Sequence, residues 1–162
     1  LCWQKRRIDA VFGRFLKKKH TGEKVTCRIA CRSVDYYCVI EPSAIREMKA
    51  PEFNMSQWSS EEEYRAYLES VQPLIGEYAS TGTIRTIEYK TMEDVAKNRD
   101  EAMCLDNFKA SFLDFGSHIN VRKCLDGTYE VTSNGRHRMY VARKYGLRLL
   151  VHVSDEEYAV WE

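Results

Sequence analysis

The residues best suited to chemistry form one short polar loop: Asn134, Gly135, Arg136, His137 and Arg138. Two arginines and a histidine stand where a helix is predicted to begin, although the helix dipole favours acidic residues there. An anion held by the free N–H groups of the helix and by the guanidinium groups would turn this repulsion into attraction. The loop is therefore predicted to bind phosphate or a nucleotide. The alternative is that the long arginine side chains extend into water.

The sequence on both sides of the loop predicts the elements that position it. β-forming residues alternate with polar residues before the loop, and a mostly apolar stretch comes after it. Met139, Ala142 and Tyr145 recur at helical spacing, and Gly146 falls where a C-terminal cap is expected. The predicted order is a hairpin turn at Asp126 and Gly127, a strand over 128–131, the polar loop, a helix over 137–145 and a strand over 147–153.

This stretch resembles the core of the ParB/sulfiredoxin-like superfamily, over about residues 115–153. The shared pattern is close to DG.Y.V..G.HR...A...G...V.V, and a strand leading into Glu41 and Pro42 is similar to the opening of that domain. The resemblance implies an α+β fold, a small mixed sheet flanked by helices, with an inserted helical segment and an N-terminal amphipathic helix. The matching residues are Asp126, Gly127, Tyr129, Val131, Gly135, His137, Arg138, Ala142, Gly146, Val151 and Val153.

The same resemblance implies that the loop holds the phosphates of an NTP, ATP or CTP, and allows Mg²⁺ as a companion ion. Residues Asn134 to Arg138 then take the cofactor-binding positions. Two positions depart from the family pattern. Arg136 stands where sulfiredoxins carry their reactive cysteine and partition proteins a glutamate, which disfavours sulfinic acid repair. Asn134 stands where the serine-kinase branch carries an aspartate, and an amide cannot act as a base near neutral pH.

His137 is the candidate catalytic residue. Its imidazole could neutralise phosphate charge or shuttle a proton near neutral pH. It could equally be a structural residue whose ring bonds a neighbouring backbone carbonyl. His118 and His152 fall on predicted strands and are expected to be half-buried residues of the sheet, with His152 able to face the loop.

Metal ligands are less clearly indicated. His20, Cys27, Cys31 and Cys38 lack the paired spacing of a zinc knuckle, so no zinc is expected and the cysteines are predicted to pack in the core. Spacing does not select among the carboxylates that could hold Mg²⁺ beside a nucleotide. These carboxylates are Asp35, Glu41, Asp114 and Asp126.

The chain has 162 residues, the size of a single domain, and a net charge of +1 that conceals an asymmetry. Residues 1–32 carry ten lysines and arginines against Asp9 and Glu23, a balance of +8. Residues 1–22 are predicted to form a basic amphipathic helix, which could contact DNA or an anionic membrane or could pack on the domain. Six cysteines without a disulfide framework favour a reduced, cytoplasmic protein, and no transmembrane segment is predicted.

The rest of the chain predicts more strands and helices. The first half should contain a long strand over 25–40, or two with a break near 33–35, then a short helical turn over 43–48. A capping box of Ser59 and Ser60 with the following glutamates begins a helix that resumes after Pro73. The later predictions are a strand over 83–89, a helix over 91–102 that buries Met92, Val95 and Ala96, a helix over 106–115 packed by Phe108, Phe112 and Phe115, and a strand over 118–124. In this single domain the core is 25–45 and 105–155, and 46–104 is an insertion.

The leading functional interpretation is an NTP phosphate-binding domain that could also hydrolyse NTP or transfer a phosphate. One alternative is a non-enzymatic, DNA-associated module of a partition or mobile-element system. A nuclease-like domain with His137 as base is the third interpretation. The sequence does not indicate an oligomeric state.

Overall fold

The computed structural model describes residues 26–53 and 60–162. The predicted basic amphipathic helix over 1–22 lies outside the described residues, as does Ser59 of the predicted capping box. None of the helices in the described ranges is both long and apolar enough to cross a bilayer.

The described part of the chain contains a four-stranded mixed sheet with the spatial order β1-β4-β2-β3. The strands are β1 (Cys27–Ile40), β2 (Asn120–Lys123), β3 (Tyr129–Val131) and β4 (Leu149–Trp161). β1 and β4 are antiparallel, β2 and β3 form the predicted hairpin, and β2 runs parallel to β4. The α+β class and the small mixed sheet are therefore confirmed.

The helices are α1 (Glu61–Ser70), α2 (Gln72–Thr81), α3 (Met92–Lys97), α4 (Arg99–Phe112) and α5 (Arg136–Tyr145). Helix α5 is the one predicted after the polar loop, and Gly146 ends it with φ 68°. Ser60 caps α1 as predicted, because its side chain accepts a hydrogen bond from the Glu63 N–H at 3.2 Å. Helix α1 packs on α5, and α2 contacts β1 and β4, so both help to cover the sheet.

Strand β1 is one continuous strand with an irregularity between Ser33 and Tyr36, close to the predicted break. The predicted turn over 43–48 is shorter than expected, a 3₁₀ helix at Pro42–Ala44. Tertiary pairing explains the difference, because Ile45 forms a bridge with Tyr129 and the Arg46 N–H donates to the Tyr129 carbonyl at 2.9 Å. These contacts draw the chain into an extended conformation.

Two predictions in the segment between α2 and α4 are wrong. Residues 83–89 form no strand; instead, Ile84 and Ile87 pack against the core and the Arg85 N–H donates to the Glu77 side chain. Met92 and Val95 were expected to be buried, but their exposed fractions are 81% and 37%. Helix α3 is short, and Asn98 separates it from α4, so it buries no residue.

The hydrophobic core includes Phe108 and Phe112 of α4, both completely buried, as predicted. Phe115, the third aromatic residue of that pattern, is 88% exposed because α4 ends at Phe112. Cys31 is exposed rather than packed in the core. The remaining core side chains come mainly from α1, α2, α5 and the sheet, and include Leu68, Val71, Ile75, Val121, Met139, Ala142 and Leu150.

Candidate anion-binding site

The polar loop is held against β2 by backbone hydrogen bonds. The Asn120 N–H donates to the Asn134 carbonyl at 3.0 Å, and the Thr132 N–H donates to the Asn120 carbonyl at 2.9 Å. Gly135 has φ 103°, a conformation that L side chains rarely adopt. A Cβ atom there would lie 2.6 Å from Cγ2 of Ile119, so this position requires glycine.

Helix α5 begins directly after Gly135, its N-cap, and the N-terminus is the positive end of the helix dipole. Its first turn contains no acidic residue, and no side chain of the described residues caps it. The first bond of the helix runs from the Met139 N–H to the Gly135 carbonyl. The N–H groups of the preceding residues have no partner within the helix, which is the arrangement that binds anions at helix N-termini.

A cavity of about 400 Å³ lies beside this helix end. Helices α1, α4 and α5 and the loops that precede β2 and α5 supply its walls. Two of the predicted site residues, Asn134 and Arg138, are among them. The lining residues are Tyr64, Tyr67, Ala110, Ser111, Gly116, Ser117, Asn134 and Arg138.

Arg138 is half-buried in the cavity wall. Its Nη1 donates to the Ser111 carbonyl at 2.6 Å and its Nη2 to the Ser117 carbonyl at 2.8 Å, and the guanidinium lies 5.9 Å from the ring centre of Phe112. Within the described ranges no carboxylate pairs with Arg138, and burial lowers the pKa of its guanidinium. The wall therefore carries a positive charge balanced only by carbonyl oxygens and aromatic rings.

Arg136 and His137 do not line this cavity. The His137 Nε2–H donates to the Glu52 carbonyl at 2.6 Å, and the ring stacks on Tyr64 with centroids 5.4 Å apart. Arg136 is exposed, and its Nη2 lies 3.5 Å from the Lys49 carbonyl. The ring of His137 thus has the contact expected for the structural interpretation. A catalytic role for His137 stays a prediction.

The polar cluster behind the loop was not predicted from the sequence. His118 and His152 are more buried than expected, with exposed fractions of 5% and 8%, and their rings stack with centroids 4.5 Å apart. His152 Nε2 lies 2.5 Å from Asp35 Oδ1, and its Nδ1 lies 3.0 Å from Asn120 Oδ1. The local sequence contains no signal for this cluster, because its members are far apart in the chain and meet only through strand pairing.

The carboxylates considered for Mg²⁺ do not come together at the cavity. Asp35 contacts His152, Asp126 accepts hydrogen bonds from Thr128, and Glu41 lies 3.8 Å from Arg148. None of the four lines the cavity.

One group of metal-type ligand atoms does come together among the described residues, those of Cys124, Glu130 and Glu157, which lie within 4.8 Å of one another. Arg46 forms an ion pair with Glu130, and its Nη1 is 3.9 Å from the Cys124 sulfur. The Leu125 N–H donates to Glu157 at 2.9 Å. Because the guanidinium already supplies positive charge here, these contacts are sufficient for a structural polar cluster.

Comparisons with known proteins identify no relative of this chain. No family model matches the chain, and neither a curated protein nor a solved structure is significantly similar to it.

Proposed function

We propose that the chain is a nucleotide-binding domain of the ParB/sulfiredoxin type that holds NTP phosphates in the cavity beside Arg138. The observation that carries the proposal is the Arg138 guanidinium, a half-buried cation in a cavity wall to which no described carboxylate pairs. A buried charge without a counter-charge is costly, and a bound phosphate would supply the counter-charge.

Three features favour an anionic ligand in this proposal. Arginine has five N–H donors, and the two hydrogen bonds of Arg138 to carbonyl oxygens occupy only part of this set. The uncapped N-terminus of α5 lies beside the cavity and adds the positive end of the helix dipole. Asn134 also lines the cavity, and its Nδ2–H donates to the His118 carbonyl at 3.1 Å, which fixes the amide. Phosphate oxygens match such a set of donors.

The cavity also offers a surface for the rest of a nucleotide. At about 400 Å³ it falls within the size range of small-molecule sites. Tyr64 and Tyr67 line the side contributed by α1. Burial raises the pKa of both phenols, so both are neutral at physiological pH and suited to contact a sugar or a base.

Binding has better support than catalysis. No described carboxylate or histidine lines the cavity, so the described wall offers no general base. Recovery of intact ATP or CTP after long incubation with Mg²⁺ would reject the hydrolase form of the proposal and leave the binding form in place.

Titration calorimetry with ATP and CTP, each with Mg²⁺, tests the binding proposal. Arg138→Met removes the guanidinium, and we expect the affinity to fall about 10- to 100-fold, because hydrogen bonds to charged groups contribute roughly 1.5–3 kcal/mol. Arg138→Lys keeps the charge but loses the planar fork, and we expect an intermediate loss.

Lys97→Met is the matched control, since it removes one positive charge from α3, outside the cavity. Its affinity should equal that of the wild type. Thermal melting of each variant separates lost binding from lost folding, because Arg138 also ties two carbonyl groups together. If neither nucleotide binds the wild type, or if Arg138→Met binds as tightly as Lys97→Met, the proposal is wrong.

The charge of residues 1–32, ten basic residues against two acidic ones, supports a second candidate, binding to the phosphate backbone of DNA. Affinity for duplex DNA should then fall steeply between low and moderate salt, because bound lysine and arginine side chains displace counterions from the duplex. Anisotropy titrations of a labelled duplex at several salt concentrations measure this. An affinity that does not change with salt concentration would indicate that the basic residues only contact solvent.

A further inference from the structure

His118, one ring of the stacked pair with His152, adjoins the cavity wall, because it follows Ser117 and its carbonyl accepts from the Asn134 amide. His152 lies on β4, which runs between β1 and β2, and its pairing partners on either side are Tyr37 of β1 and Asn120 of β2. His118 precedes β2, at the end of the exposed turn 114–117. The exposed Phe115 ring meets the His118 ring edge-on at 5.3 Å.

The hydrogen bonds around His118 indicate which of its two ring nitrogens carries the hydrogen. The Tyr37 hydroxyl has one hydrogen, and it donates to the Leu113 carbonyl at 2.9 Å, since a carbonyl can only accept. The Tyr37 oxygen is then the acceptor for Nδ1–H of His118, at 3.1 Å. This leaves Nε2 as the unprotonated nitrogen of a neutral ring, and Nε2 has no hydrogen-bond partner among the described residues.

His152 has the opposite arrangement. Asn120 Nδ2 donates to Ser133 Oγ at 3.0 Å, which directs Oδ1 of the same amide toward Nδ1 of His152. The other ring nitrogen faces the Asp35 carboxylate. Both ring nitrogens of His152 therefore face acceptors. Nε2 of His118 faces none among the described residues.

The environment of His118 disfavours its protonation. Burial lowers the pKa of His118, and His152 on β4 and Arg138 on α5 lower it further. Asp35 on β1 opposes them with a smaller effect. The remaining titratable neighbour on β1 is Tyr37, whose pKa is raised by burial first and then by Asp35, Tyr78 and Asp114, so it stays neutral.

Only one of the two rings can leave the stack without breaking the sheet. His152 is fixed by strand pairing on both sides, whereas His118 is attached to a short exposed turn. The N–H groups of Ser117 and His118 both donate to the Asp114 carbonyl at 2.9 Å, and they are the turn's own hydrogen bonds. Such turns open at lower cost than paired strands.

Displacement of His118 would disturb the cavity wall. The Ser117 carbonyl accepts from Arg138 at 2.8 Å, and the His118 carbonyl accepts from the Asn134 amide at 3.1 Å. Both donors line the cavity. Opening of the turn therefore removes one fixed contact from each of the two polar side chains that were predicted from the sequence and that line the cavity.

We propose that the turn 114–117, with His118 at its end, is an acid-sensitive element of this fold, which opens when His118 is protonated and thereby releases Arg138 and Asn134. In the open state His118 is hydrated and has a pKa near the ordinary value of about 6.5. Because the closed state has the lower pKa, the open state binds more protons, and the closed state loses stability as pH falls below about 6.5.

Amide hydrogen exchange of Ser117 and His118 tests this without any ligand. After correction for the intrinsic pH dependence of exchange, the opening constant of the turn should rise severalfold, by at most about eightfold, between pH 7 and pH 5.5. His118→Gln should remove this rise. His137→Gln, which replaces a histidine outside the pair, should retain it.

Equal rises in the wild type and in His118→Gln, or no rise in the wild type, would overturn the proposal. If His118→Gln does not fold, the ring itself can be titrated in the wild type by NMR. The proposal requires the His118 resonance to titrate below the ordinary histidine value while the strand resonances stay native. A midpoint at or above that value contradicts it.

Discussion

Gly135→Ala is expected to lower the free energy of unfolding by about 3 kcal/mol or more. The left-handed conformation of a residue with a side chain costs roughly 1–2 kcal/mol. The added Cβ would also lie 2.6 Å from Cγ2 of Ile119, a completely buried side chain, and relieving such overpacking costs typically about 1–3 kcal/mol. Urea denaturation followed by circular dichroism measures the sum.

Gly127→Ala is the matched control for Gly135→Ala. Gly127 also has a positive φ, 85°, but a Cβ there would meet no atom within 4 Å. It should show the conformational cost alone, on the order of 1 kcal/mol. In an Ile119→Ala background the cost of Gly135→Ala should shrink, since most of the opposing side chain is gone. Equal losses of unfolding free energy at positions 127 and 135 would show that the loop accommodates the added Cβ without a clash with Ile119.

Phe112→Ala is expected to cost about 3–5 kcal/mol of unfolding free energy. The side chain is completely buried, and its ring lies 4.9 Å from that of Phe108 and 6.3 Å from that of Tyr67, centre to centre. Alanine would leave a void between α1 and α4, because the packed helices cannot collapse fully into it. The substitution would also remove a contact of Arg138, whose guanidinium lies over the Phe112 ring. Chemical denaturation gives the cost.

Phe115→Ala provides the contrast in the same segment. This ring is 88% exposed and touches His118 only by its edge, so its removal should change the unfolding free energy by no more than about 0.5 kcal/mol. Similar losses of unfolding free energy for the two substitutions would contradict the structure, in which Phe112 is buried and Phe115 is exposed. They would agree instead with the sequence pattern, which predicts that both rings are packed.

The local features around the loop could be predicted because local chemistry decides them. Asp126 and Gly127 form a hairpin turn, Gly146 takes the left-handed conformation that ends α5, and Ser60 caps α1. In each case the preference belongs to a few adjacent residues. The accumulation of basic residues at the start of α5 is a local property as well, and it led to the anion-binding prediction.

Other features depend on pairing between distant segments. Residues 154–161 are too polar to predict a strand, yet β4 continues to Trp161 because the first half of β1 pairs with it. Conversely, residues 83–89 alternate like a strand but have no strand pairing in the described sheet. Alternation alone does not form a strand, since its backbone groups must also find partners.

The orientation of each side chain in the site also depends on tertiary packing. Arg136, His137 and Arg138 are neighbours in the sequence, but successive residues of a helix point about 100° apart. Only Arg138 faces the cavity, whereas His137 turns to Tyr64 and the Glu52 carbonyl. The sequence by itself determined a cationic loop at a helix N-terminus. The packing of α1 and α4 around that helix decided which cation faces the cavity, and the pairing of β1, β2 and β4 placed two histidines behind it.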